Sequence, residues 1–98
     1  MKRVVYHRLA AGELISSARF YEERHPLLGE EFLAEVELTL KAVQKQPESG
    51  RLEKHDTRSY RVHRFPFHVI YQIQPDRFWV VAIAHLSRQP GYWARRAL

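Results

Sequence analysis

The chain of 98 residues predicts a single α+β domain, residues 1–98, in the order strand, helix, helix, strand, strand, strand. Three observations carry that expectation. Apolar residues recur at helical spacing through the first half and with a period of two through the second. Proline and glycine fall at the joints, as Pro26 and Gly29, Pro47 and Gly50, Pro66, and Pro75. The length suits one modest core.

Each element follows from its residues. Val4, Val5 and Tyr6 are β-prone and predict a short strand near residues 2–7. A helix is expected from Leu9 to about Arg24, because Ala10, Leu14, Ala18 and Tyr21 share one face. A second helix, from about Glu30 to Lys45, carries the stripe Leu28, Phe32, Val36, Leu40 and Val43. The short corner between them makes the two helices an antiparallel hairpin. Residues 51–57 are polar and read as a loop. Tyr60 to Phe65 alternates, Pro66 interrupts, and Phe67 to Ile73 alternates again. Pro75-Asp76 turns the chain into Phe78 to His85, apolar on both faces and therefore central. Pro90 to Arg96 forms a short terminal helix or an irregular tail. The expected architecture is an antiparallel sheet with the helical hairpin packed on one face.

Side-chain alternation assigns the two faces of that sheet. Phe67, Val69, Tyr71 and Ile73 point to the helices together with Tyr60 and Val62. On the last strand, the small Ala82 and Ala84 suit close packing under a helix. That choice puts His85 on the opposite, open face with Arg61, His63 and His68, and Arg88 follows just beyond the strand end.

Composition narrows the function classes. The chain has no cysteine, which excludes disulfides and thiolate metal sites and suits a cytoplasmic address. No apolar run reaches the length of a membrane span, so no membrane association is expected. Residues 1–50 hold seven Lys/Arg against eight acidic residues, whereas residues 51–98 hold nine against three. Four of the six histidines also lie in the second half. A neutral scaffold half and a basic working half predict an anionic partner, either nucleic acid or an acidic protein segment.

The stretch Arg58 to Phe67 (RSYRVHRFPF), continuing to Val69-Ile70-Tyr71, resembles the central strands of RelE/ParE toxins. Ala82-Ile83-Ala84-His85, followed by Arg88-Gln89-Pro90-Gly91-Tyr92-Trp93 and Arg96, resembles the end of the ParE-like branch. Tyr21-Glu22 and Phe32 also fit, so the resemblance spans essentially the whole chain. It implies the β-α-α-β-β-β fold of that family and the toxin role in a type II toxin–antitoxin system. It further implies growth inhibition when the toxin is free of its cognate antitoxin. The ParE-like branch implies DNA gyrase as the target; the RelE-like alternative is a ribosome-dependent mRNA endonuclease. His68 and Ser87 stand where RelE-like nucleases carry arginines, which favours the ParE-like reading.

Two sets of residues are candidates for the working surface. Under the nuclease reading, His63, His68 and His85 are acids or bases near neutrality, Arg61 and Arg88 hold phosphate, and Tyr92 or Trp93 stacks a base. Under the docking reading, Arg58, Arg64, Trp93, Arg95 and Arg96 contact the partner or nucleic acid. For each histidine taken singly, a satisfied strand residue is the simpler account, and Trp93 equally suits a core edge. No metal and no cofactor are expected, since neither metal-ligand spacing nor a Gly-rich phosphate loop occurs. The free toxin is expected to be monomeric and to pair 1:1 with its antitoxin.

Overall fold

A computed structural model describes residues 2–98. The elements are β1 (Arg3–Tyr6), α1 (Arg8–Arg24), α2 (Leu28–Lys45), β2 (Arg51–Leu52), β3 (Arg58–Arg61), β4 (Phe67–Ile73) and β5 (Arg77–His85). A final 3-10 turn covers Ala94–Ala97. The predicted α+β architecture is present, with the helical hairpin on one face of a sheet ordered β1-β5-β4-β3-β2. The sheet is mixed rather than wholly antiparallel, because β1 pairs parallel with β5. The hairpin forms the long crossover that a parallel pair needs, and it carries the chain away from β1. The last strand then slots between β1 and β4, which explains why it is apolar on both faces.

Local chemistry sets the helix ends. His7 accepts the Leu9 backbone N–H at Nδ1 (3.0 Å) and so caps α1. At the corner, Leu27 sits in the left-handed region at φ 72°. The Glu22 carboxylate holds it there by accepting from Leu27 N and Gly29 N, each at 3.0 Å. Gly29 permits the close crossing of the helices, since a Cβ there would stand 2.5 Å from the Ala18 carbonyl oxygen.

The core between hairpin and sheet centres on Tyr21, Phe32, Phe65 and Phe67, with ring centroids 4.9–5.3 Å apart for four of their pairs. Such pairs each contribute about 0.5–1.5 kcal/mol beyond area burial. The Arg-Phe-Pro-Phe segment is therefore a packing motif. Tyr71 is fully buried below it, donates to Pro47 O (2.7 Å) and accepts from Gly50 N (3.1 Å).

Three local expectations are corrected. The strand starting near Tyr60 ends at Arg61 instead of Phe65, because Arg64 turns left-handed (φ 72°) and drives Phe65 into the core. The presumed loop 51–57 contains β2, which pairs with β3. The facing of the last strand changes partway along it. Tyr71 pairs with Val80 but Ile70 pairs with Ala82, so Val81 is an extra residue. Phe78 and Val80 face the helices as expected. Beyond the bulge the order reverses, with Ile83 joining the main core and Ala82 and Ala84 facing away.

That far face is not open. Trp93, 5% exposed, lies over Ile70, Val81, Ala82 and Ala84 and forms a second, smaller core. The segment after β5 thus folds back across the sheet.

Candidate functional site

β5 outlives its neighbour β1. The last bond along that edge runs from His7 N to Val80 O (2.9 Å), after which the chain turns away into α1. The remaining edge groups need other partners. Glu13, one turn into α1, supplies one: its Oε1 accepts from Ile83 N at 3.0 Å. Arg96 supplies another, donating from Nη1 to Val81 O at 3.1 Å. Two side chains therefore do the work of a missing strand.

The same two side chains bind each other. Arg96 donates to Glu13 Oε1 from Nη1 (3.0 Å) and to Oε2 from Nη2 (2.9 Å), a bidentate pair with side chains only 12% and 17% exposed. The Tyr92 hydroxyl donates to Glu13 Oε2 at 2.8 Å. Burial first, and then the hydrogen bond to Glu13 and its charge, push the Tyr92 phenol well above its ordinary range. On the Tyr92 ring the Arg88 guanidinium lies 3.8 Å from the centroid and that of Arg96 5.2 Å.

Two concavities flank this cluster. On the helix side, a groove of about 760 Å³ runs between α1 and the end of β5. Leu9, Phe20 and Phe67 give it an apolar lining, and Arg8 and Arg88 a cationic one. On the far side, a cavity of about 350 Å³ lies between the tail and β2–β4, lined by Arg51, Glu53, His68, Arg88 and Trp93 among others. Burial, reinforced by Arg61 and Arg51 and opposed by Glu53, lowers the His68 pKa below its usual value. Glu53 itself accepts from Ser59 Oγ at 2.7 Å.

The first set of candidates is only partly brought together. Arg61 and His68 are register partners on adjacent strands, yet Arg61 donates to Phe65 O (2.8 Å) and clamps the turn. His63 is exposed in that turn. His85 was expected on the open face, and the bulge at Val81 places it with the helices instead. Its ring stands edge-on to Phe67 (4.9 Å), and its Nδ1 accepts from Ser87 N (3.0 Å). Arg88 is exposed, while the Tyr92 hydroxyl is held by Glu13.

The second set is mostly engaged within the chain. Arg58 donates to Glu48 O (3.1 Å) and Gly50 O (2.9 Å). Arg64 pairs with Glu31 (2.8 Å) and Glu35 (3.9 Å). Trp93 is buried and Arg96 is bound to Glu13, whereas Arg95 is exposed. Among the described residues no group of three or more His, Asp or Glu converges as metal ligands, and no helix is long and apolar enough to cross a membrane.

Glu13 is the residue that sequence reasoning passed over. Its signal was an acidic side chain on the buried face of α1, three residues after Ala10 and beside Leu14. Arg51 and Glu53 were also missed, because their segment read as a loop.

Comparison with known proteins agrees with the fold. Residues 4–90 match the family model described as ParE toxin of type II toxin–antitoxin system, parDE. Among solved structures, a chain of the "Chromosomal ParDE TA system from P. aeruginosa" superposes with a TM-score of 0.71. The two are 18% identical over 89% of this chain and 98% of that one, a likeness of fold. A search of curated protein sequences finds no match.

Proposed function

We propose, for a chain that belongs to the ParE toxin family of type II toxin–antitoxin systems, that growth inhibition works by docking on DNA gyrase through the C-terminal tail, residues 86–98. The chain is the toxin component of such a system, and a cognate antitoxin is its partner. The observation that carries the docking reading is the use made of Tyr92 and Arg96. A nuclease needs a free acid, base and phosphate clamp around one reacting atom. Here the phenol and the guanidinium hold the tail to α1, and His85 packs on Phe67. Holding the tail leaves Leu86, Arg88, Gln89, Pro90 and Arg95 exposed as a fixed, basic and partly apolar surface. Arginines at the edge of an apolar patch are suited to protein contacts.

The groove between α1 and β5 suits the antitoxin. Its apolar lining and the cations Arg8 and Arg88 would take an amphipathic segment with acidic side chains. Such a segment would also touch Arg88, next to the target-facing tail, which accounts for neutralisation by direct cover.

A second reading, ribosome-dependent mRNA cleavage, draws on one place, the far-side cavity. There His68, kept neutral, lies near Arg51, Arg61 and Glu53. One pair of assays separates the two readings. Purified toxin is expected to block supercoiling by gyrase and to leave mRNA on programmed ribosomes intact. Discrete cuts in that mRNA with normal supercoiling would reverse the choice.

A further inference from the structure

We propose that Glu13 positions the C-terminal tail for its contact with the target, although it lies on α1 and outside the contact surface. The inference rests on the reading of the tail as the target-facing segment. Beyond the Leu86 N to Pro66 O bond at its start (2.9 Å), the tail is held to the body by two kinds of contact. One is apolar: Trp93 buried on Ile70, Val81, Ala82 and Ala84. Hydrophobic contact is non-directional, so an indole on an apolar surface resists lifting more than sliding or rotating. The other kind is directional: Arg96 donates to Val81 O at 3.1 Å, and Glu13 takes the larger share. Its carboxylate accepts four hydrogen bonds, from Ile83 N, Tyr92 Oη and both terminal nitrogens of Arg96.

Those four bonds use both oxygens and join three parts of the fold. Ile83 belongs to the strand edge, Glu13 to the helix, and Tyr92 and Arg96 to the tail. The clasp therefore passes around the unpaired edge of β5 and links the helix side of the sheet to its far side. Its effect reaches an exposed group in one step, because the Arg88 guanidinium rests on the Tyr92 ring at 3.8 Å. Fixing Tyr92 fixes the platform on which Arg88 stands. Loss of the Glu13 charge would leave Arg96 without its counter-ion in a mostly buried place, and release of the tail to water relieves that cost.

The test uses the full chain in a Trp79→Phe background, so that Trp93 is the sole tryptophan reporter. Glu13→Gln is expected to shift Trp93 emission to the red and to speed tryptic cleavage after Arg88 and Arg95. Its far-UV circular dichroism should stay unchanged, while the dose needed for growth inhibition rises about tenfold or more. Arg96→Met should do the same, and the double variant should be no worse than either single one, since the two act through each other. Tyr92→Phe, which deletes only one hydroxyl, gives a smaller shift in the same direction and serves if Glu13→Gln does not fold. A tail that stays buried and protease-resistant in both Glu13→Gln and Tyr92→Phe overturns the clasp. A released tail with undiminished growth inhibition overturns the proposal through its premise, that the tail meets the target.

Discussion

Among single residues, His7 and His68 carry a pH dependence whose sign can be worked out. Burial is the first cause lowering both pKa values, helped by Arg96 and Arg8 at His7 and by Arg61 and Arg51 at His68. The folded state thus prefers neutral imidazole, and at His7 the neutral Nδ1 is what caps α1. Above the ordinary value of 6.5 both states are mainly neutral and the contribution to stability is fully present. As pH falls below 6.5, the unfolded chain binds protons first, and the contribution is lost as pH passes through the folded values. The urea midpoint is expected to drop between about pH 7.5 and about pH 5.5, a window set by histidine titration. A His7→Asn, His68→Gln variant should flatten that drop, since Asn keeps an N-cap without titrating near neutrality. An equally steep drop in the variant would assign the effect elsewhere.

For the elements, the helix hairpin and the bulge differ in how far local sequence specifies them. The hairpin is encoded by neighbours: Glu22 caps the corner within seven residues, and Gly29 meets Ala18 eleven residues away. Its weak point follows directly. Ala at position 29 would gain about 1 kcal/mol of helix propensity, but its Cβ would strike a backbone oxygen that cannot rotate aside. Overpacking of that kind costs about 1–3 kcal/mol. Gly29→Ala is therefore expected to lower the urea midpoint, and a raised midpoint would contradict the close crossing. The bulge has no such local code. Val80, Val81 and Ala82 alternate acceptably either way, and only the pairing of Ile70 with Ala82 decides which face each one takes. That is why the first half of β5 was legible and His85 was misplaced.

Over the whole molecule, two concavities flank one strand end, and Arg88 lines both. Several cations of the basic second half are engaged within the chain. Arg58, Arg61, Arg64 and Arg96 bind carbonyls or carboxylates, and Arg88 and Arg95 are left exposed near the tail. The groove beneath α1 exposes Leu9 (43%) and Phe20 (48%), with Arg24 stacked on the Phe20 ring at 3.4 Å. Phe20→Ser removes groove surface without touching the tail. It is expected to weaken binding of purified antitoxin by about tenfold or more, roughly 1.4 kcal/mol. Growth inhibition in the absence of antitoxin should be unaffected. Unchanged antitoxin affinity would place that partner on another face.

The sequence by itself determined the order of the two helices and the longer strands, the helical stripes, the helix-facing residues of β4 and the resemblance to a toxin family. Those features depend on periodicity and on near neighbours, so they are written in short stretches of chain. Tertiary structure alone decided the parallel pairing of β1, the reversal within β5 and the role of Glu13. Glu13 meets Tyr92 and Arg96 across 79 and 83 residues. Its importance comes from a strand edge left open when β1 turns into α1, and a pattern of residues cannot record which edge will lack a partner. The predicted α+β fold stands, and one carboxylate closes that edge.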